Sequence, residues 1–195
     1  MATAVNPSAS AGISIGSAIG SVSEWLRRIT VRIRAGGHAY GSGVVWHGDG
    51  LIVTNAHVAT RDAHEVELAD GRTVTARLIA RDPKIDLAAL TVDIRGLASA
   101  SVRSARELRT GEVVIAVGNP SDGAGAVSTG LVHQPVANSR WVLADIRLAP
   151  GNSGGPLADA RGSVVGINSM VIAGFGCAVT SEEVQRFLQK IGAAA

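Results

Sequence analysis

From Thr30 onward the chain alternates short runs rich in Val, Ile and Leu with polar breaks: T-V-R-I-R, S-G-V-V-W, L-I-V-T, H-E-V-E-L-A, R-T-V-T-A-R-L-I-A and D-L-A-A-L-T-V. Runs of this length and composition read as strands. Asp49-Gly50 and Asp70-Gly71 fall between such runs. Both pairs favour the positive φ of tight hairpin turns, so the strands they join are expected to be antiparallel. After a polar connection rich in Ser and Arg at 99–110, the pattern resumes with E-V-V-I-A-V-G, S-T-G-L-V-H, R-W-V-L-A-D-I, S-V-V-G-I-N and C-A-V-T. Two β units of similar size result, with no internal sequence repeat. Strands at regular spacing with almost no helix between them predict an all-β fold of barrels or sandwiches rather than an α/β sheet.

The two ends follow other patterns. Residues 1–20 are small and polar and show no period, which predicts a flexible arm. Ser21 and Glu24 have the S-x-x-E spacing of a capping box, which predicts a short helix through Trp25, Leu26 and Ile29. Thr180-Ser181-Glu182-Glu183 repeats that logic. Val184, Phe187, Leu188 and Ile191 then follow at i, i+3, i+4 and i+7, an amphipathic helix with one face to pack. The expected division is an arm at 1–20, a β unit with its leading helix at 21–100, a second β unit at 101–180 and a helix with its tail at 181–195.

Composition narrows the class. A chain of 195 residues with 46% apolar and 17% charged residues is long and hydrophobic enough to bury a core, which excludes a disordered chain. Its 24 glycines, against six aromatic residues, suit many tight turns. The net charge of +2 is spread over scattered arginines with no basic block, so nucleic acid is not an expected partner. A single cysteine, Cys177, excludes an internal disulfide and a cysteine-rich zinc site. The first twenty residues lack the charged and apolar regions of a signal peptide. The uncharged stretch at 162–181 is long enough to span a bilayer, yet its Gly, Ser, Asn168 and Thr180 make a buried β-hairpin the better reading.

The segment Gly151-Asn152-Ser153-Gly154-Gly155-Pro156 sets a serine among glycines that permit close backbone approach. It is either a plain turn or the seat of a nucleophile. It fits G-x-S-x-G, but the nucleophile elbow of α/β-hydrolases needs a histidine after the serine, and the last histidine here is His133. A serine nucleophile needs a base, and the base a third group to orient it. Of the five histidines, His57 in T-N-A-H-V directly follows the apolar run L-I-V-T, at a strand end. Asp86 in K-I-D-L-A-A-L leads straight into apolar residues. There it either orients an imidazole or satisfies local amides at a strand start.

T-N-A-H-V, K-I-D-L-A-A-L and P-G-N-S-G-G-P, in the order His, Asp, Ser, resemble the trypsin-like serine proteases, and within them the HtrA/Deg group. The likeness extends to G-S-G-V-V at 41–45, G-N-P at 118–120 and the Asp145 position, and spans roughly residues 30–190. It departs from the group where Cys177 and Thr180 stand at positions often held by Phe and Pro. No PDZ domain is expected after the last helix, and the segments around 133–141 and 170–174 are short. The resemblance implies two six-stranded antiparallel β-barrels of the chymotrypsin type and an active site in the cleft between them.

It further implies a serine endopeptidase acting on unfolded or extended polypeptides through an acyl-enzyme, with catalytic residues His57, Asp86 and Ser153. The N–H groups of Gly151 and Ser153 would form the oxyanion hole. Asn168, Ser169, Met170 and Cys177 would bind substrate, and the neutral walls favour a small or medium aliphatic side chain before the scissile bond. Arg147 offers a contrary preference for an acidic one. No metal and no cofactor is implied. The implied partners are protein or peptide substrates and further copies of the chain, as a trimer built on the N-terminal segment. The compartment stays open between cell envelope, periplasm and cytoplasm. The loop at 118–129 would act as an activation loop, and the Pro150–Gly151 peptide would be either preformed for catalysis or flipped at rest. The rival reading, a peptide-binding or chaperone-like protein on the same fold, has no need of all three residue types in this order.

Overall fold

The computed structural model describes residues 15–36, 39–119, 125–134, 136 and 139–193. The expected flexible arm lies largely outside them, as does the centre of the loop expected to switch activity. A helix α1 (Ile15–Arg28) leads into the first six strands: β1 (Thr30–Gly36), β2 (Ala39–His47), β3 (Leu51–Thr54), β4 (Ala63–Glu67), β5 (Thr73–Asp82) and β6 (Leu87–Thr91). They close into a barrel in the order β1-β2-β3-β6-β5-β4, every pair antiparallel. A 3-10 turn (Ala105–Glu107) precedes β7 (Val113–Gly118), β8 (Ala126–Val132), β9 (Trp141–Asp145), β10 (Pro156–Asp159), β11 (Val164–Ile172) and β12 (Phe175–Thr180). These close a second antiparallel barrel in the order β7-β8-β9-β12-β11-β10, which repeats the first barrel's topology without repeating its sequence. The all-β fold of two six-stranded barrels, expected from the sequence, is the observed one.

The burial pattern follows from this arrangement. β4 and β5 alternate exposed and covered residues, as a strand with one solvent face must, whereas β3 and β10 are buried at every position. Val31, Ile33, Ile52, Val66 and Leu90 fill the first barrel, and Val114, Val142, Leu157 and Val165 fill the second. A third cluster lies where the barrels meet and joins Val44 and Val53 of one to Ile115, Val117 and Ile167 of the other. Leu26 and Ile29 at the end of α1 and Val184, Phe187 and Leu188 of the C-terminal helix α2 (Ser181–Lys190) complete it. The two helices therefore hold the barrels in a fixed relation.

The turns agree with the sequence, with Gly50 at φ +104° and Gly71 at φ +85°. Thr180 caps α2 by accepting from the Glu183 N–H at 3.4 Å, and Glu182 and Glu183 occupy the first turn, where the helix dipole favours them. The uncharged stretch at 162–181 is the β11–β12 hairpin. No helix among the described residues is long and apolar enough to cross a membrane. The expected start of α1 needs correction. The helix is already formed at Ile15, and Ser21 lies within it, its hydroxyl donating to the Ser17 carbonyl at 3.2 Å. Ile19, Val22, Leu26 and Ile29, spaced three and four apart, all pack on the core between the barrels, and this apolar stripe extends the helix past the capping signal.

Candidate active site

His57 sits in the turn that ends β3, and Asp86 in the turn between β5 and β6. β3 and β6 pair from Leu51↔Thr91 to Thr54↔Ala88, which brings the two turns to one end of the first barrel. The Asp86 carboxylate lies 2.9 Å from His57 Nδ1 through both oxygens and also accepts the His57 backbone N–H at 3.2 Å. With Nδ1–H donating to the carboxylate, Nε2 is the acceptor. The imidazole is half-exposed and the carboxylate largely covered, at 50% and 14% side-chain exposure. Burial pushes the Asp86 carboxyl up, but hydrogen bonds from His57 and Ser169 outweigh it and hold the group below its ordinary value. Asp86 adopts a left-handed backbone, φ +55°, uncommon outside glycine. The buried Asn55 amide fastens it there, donating to the Asp86 carbonyl at 3.0 Å.

Ser153 comes from the second barrel, on the turn that runs into β10. Ala149-Pro150-Gly151-Asn152 closes with an Asn152 N–H to Ala149 carbonyl bond of 3.0 Å, and Gly151 has φ +100°. Proline second and a positive-φ glycine third define a type II turn. The N–H groups of Gly151 and Ser153 meet no acceptor among the described residues. The Ser153 hydroxyl donates to the Ser169 carbonyl at 3.1 Å rather than to His57. Ser169 also connects the barrels, because its own hydroxyl donates to Asp86 Oδ2.

The glycines after Ser153 are dictated by contact. A Cβ on Gly154 would stand 2.0 Å from the Ser42 carbonyl oxygen, and one on Gly155 2.2 Å from that of Val117. The serine turn thus lies directly against β2. Beside it is a cavity of about 250 Å³ lined by Leu148, Ala149, Pro150, Ser153, Ser169 and Met170.

Among the sequence-predicted residues, Ser169 and Met170 reach this cavity, helped by a register irregularity between Asn168 and Met170 in the β11–β12 ladder. Asn168 and Cys177 are not brought to its wall. Asn168 is buried and turns inward, its amide donating to the Pro156 carbonyl at 2.8 Å, so it supports the serine turn instead. Cys177 is also fully buried, and burial pushes its thiol up. Of the other histidines, His64 lies between the Arg34 carbonyl and the Arg61 N–H, and His133 stacks on Phe175. Among the described residues no three His, Cys, Asp or Glu side chains converge as a metal site requires.

Sequence reasoning did not single out Ser42, Asn55 or Leu148. The available signal was a polar residue inside an apolar strand for Ser42, and inside a histidine motif for Asn55.

Paired closed barrels with a His–Asp pair on one and a glycine-bound serine on the other define a trypsin-like peptidase domain. Residues 41–167 match the family model of that description, and the chain belongs to the family. Within it the likeness runs to HtrA-type proteases. The chain is 36% identical over 178 residues to the serine protease Do-like HtrA of Lactobacillus helveticus, covering 79% of this chain and 43% of that protein. It is 41% identical over 138 residues to a probable periplasmic serine endoprotease DegP-like of Hahella chejuensis (strain KCTC 2396), covering 67% and 29% respectively. The solved HtrA-type protease AlgW with tripeptide superimposes with a TM-score of 0.82 at 29% identity, over 89% of this chain and 63% of that one. The chain therefore spans less than half the length of these curated relatives.

Proposed function

We propose that the protein is a serine endopeptidase that cleaves extended polypeptide segments through an acyl-enzyme. The observation that carries this reading is the His57–Asp86 pair, held at 2.9 Å in the tautomer that leaves Nε2 as a base, beside a serine turn whose Gly151 and Ser153 N–H groups meet no acceptor among the described residues. Ser153 attacks the scissile carbonyl, and His57 takes its proton and delivers it to the leaving amine. Asp86 holds the imidazole and stabilises its cationic form. Water then repeats the sequence on the ester. The N–H groups of Gly151 and Ser153 receive the developing oxyanion, and the positive φ of Gly151 supports a preformed turn.

In the resting state the Ser153 hydroxyl occupies the Ser169 carbonyl, an acceptor that a substrate strand needs when it adds to β11. Substrate binding displaces the hydroxyl and frees it to turn to His57. The cavity walls formed by Leu148 and Met170 favour an aliphatic side chain before the scissile bond. Hydrolysis of casein by the wild type, reduced about 10⁴-fold or more in Ser153→Ala with peptide binding retained, tests the reading. Binding without hydrolysis by the wild type identifies a peptide-binding protein instead.

A further inference from the structure

The serine turn is fastened from outside its own barrel. Ser42 stands within β2, fully buried, and touches neither solvent nor the cavity. All of its polar groups are committed. Its N–H donates to the Ser153 carbonyl at 2.8 Å and its hydroxyl to the Gly151 carbonyl at 2.7 Å. The same hydroxyl accepts the Asn119 N–H at 2.9 Å, and the Ser42 carbonyl accepts from Thr54 Oγ1 at 2.6 Å. The Gly151 carbonyl also accepts the Asn119 N–H, at 3.1 Å. The peptide between Gly151 and Asn152 is therefore tied at both ends, its carbonyl to Ser42 and Asn119 and its N–H to the Ala149 carbonyl.

Gly151 is the one residue of the Ala149–Asn152 turn without a Cβ, and so has the widest choice of dihedral angles. A Pro-Gly turn also has an alternative in which the central peptide rotates and the N–H of the third residue faces the other way. That rotation swings the Pro150–Gly151 peptide while leaving its neighbours nearly in place, so tying down the Gly151–Asn152 peptide fixes the pivot about which the Gly151 N–H turns and its distance from the Ser153 N–H.

We infer that Ser42 is a positioning residue of the oxyanion site: its hydroxyl, from the first barrel, holds the Gly151 carbonyl and thereby keeps the Gly151 N–H seated beside that of Ser153. The inference rests on the reading that these groups receive the oxyanion. It makes that site depend on barrel docking, since the lock closes only when β2 lies against the serine turn. Ser42→Ala leaves Asn119 as a donor to the Gly151 carbonyl, so the fold persists while the turn loses its second tie.

The test compares wild type, Ser42→Ala and Ser42→Cys, the last similar in size but a weak donor. All are assayed in the full chain at a temperature where circular dichroism shows them folded. Peptide hydrolysis gives kcat and KM. A peptide boronic acid, whose tetrahedral adduct on Ser153 places an oxygen where the oxyanion forms, reports on the site itself. Binding of uncleaved peptide is measured in the Ser153→Ala background. Ser42→Ala is expected to lower kcat about 10- to 100-fold with KM changed less than about twofold. Boronate affinity should fall by the same factor, peptide binding should be unchanged, and Ser42→Cys should lie between. Undiminished kcat in Ser42→Ala, a change confined to KM, or a lower kcat with unchanged boronate affinity would each overturn the inference. If Ser42→Ala does not fold, Ser42→Cys carries the same criteria. An inactive wild type would defeat the protease reading instead, so the two failures are distinguishable.

Discussion

Two glycines with the same backbone angle separate what the serine turn demands from what any tight turn demands. Gly154 and Gly71 both have φ +85°, yet a Cβ on Gly71 meets nothing within 4 Å, while one on Gly154 would stand 2.0 Å from the Ser42 carbonyl oxygen and 2.3 Å from Thr54 Oγ1. A left-handed alanine costs about 1–2 kcal/mol at either site. Reduced freedom of the unfolded chain returns about 0.4–1 kcal/mol to both. Gly71→Ala should therefore destabilise by about 1 kcal/mol. At Gly154 the overlap is with a strand carbonyl held by a side-chain bond from Thr54, which cannot swing away as a flexible side chain would. Forcing the turn away from β2 adds the overpacking cost of about 1–3 kcal/mol, so Gly154→Ala should lose about 2–4 kcal/mol. Urea denaturation of both variants at neutral pH gives the difference, and peptide hydrolysis gives its consequence: Gly71→Ala keeps wild-type activity and Gly154→Ala loses most of it. Equal destabilisation within about 0.5 kcal/mol, together with full activity in Gly154→Ala, would refute the claim that the turn is seated on the first barrel.

Asn55→Ala removes the amide that holds Asp86 in its left-handed conformation. The loss of a buried donor costs about 1–3 kcal/mol, partly offset because the buried Asn55 Oδ1 has no partner of its own. The expected result is a small loss of stability with a lower kcat at nearly constant KM, and wild-type kcat would count against it. The Asp86 carboxyl is held below its ordinary value in the folded state, so its stabilisation is fully present above the unfolded value of about 3.9 and disappears as pH falls through the lower folded value. The stability gap between wild type and Asp86→Asn should therefore be constant at neutral pH and narrow below about pH 4. A gap of unchanged size down to pH 3, read from urea midpoints, would show that the ionised carboxylate is not what stabilises the pair.

The β1–β9 and β11–β12 runs were legible because their aliphatic and β-branched residues cluster between polar breaks, and in the first barrel the Asp-Gly turns point the same way. β10 was not, since its four residues Pro156–Asp159 directly follow the serine motif and are covered on both faces, leaving no alternation to read. The early start of α1 was hidden by Gly and Ser among the apolar stripe residues Ile19 and Val22, whose burial depends on a groove that exists only once two barrels have docked. His57, Asp86 and Ser153 could be singled out as candidates because each interrupts an apolar or glycine context in an informative way. The left-handed turn at Asp86 and the resting bond of Ser153 to Ser169 carry no such mark. Of the four residues expected to bind substrate, Ser169 and Met170 line the cavity, set there by the ladder irregularity within β11, whereas Asn168 and Cys177 stay buried. Ser42 joins segments far apart in the chain, so its meaning appears only in three dimensions.

Ser153, activated by His57, is the proposed nucleophile. Labelling the folded protein with a fluorophosphonate and mapping the adduct by peptide mass spectrometry tests it most directly, because the reagent requires an activated serine and the oxyanion donors together. A single adduct on Ser153 is expected, absent in Ser153→Ala and strongly slowed in His57→Ala. An adduct on another residue, or labelling of Ser153 at the same rate in His57→Ala, would contradict it.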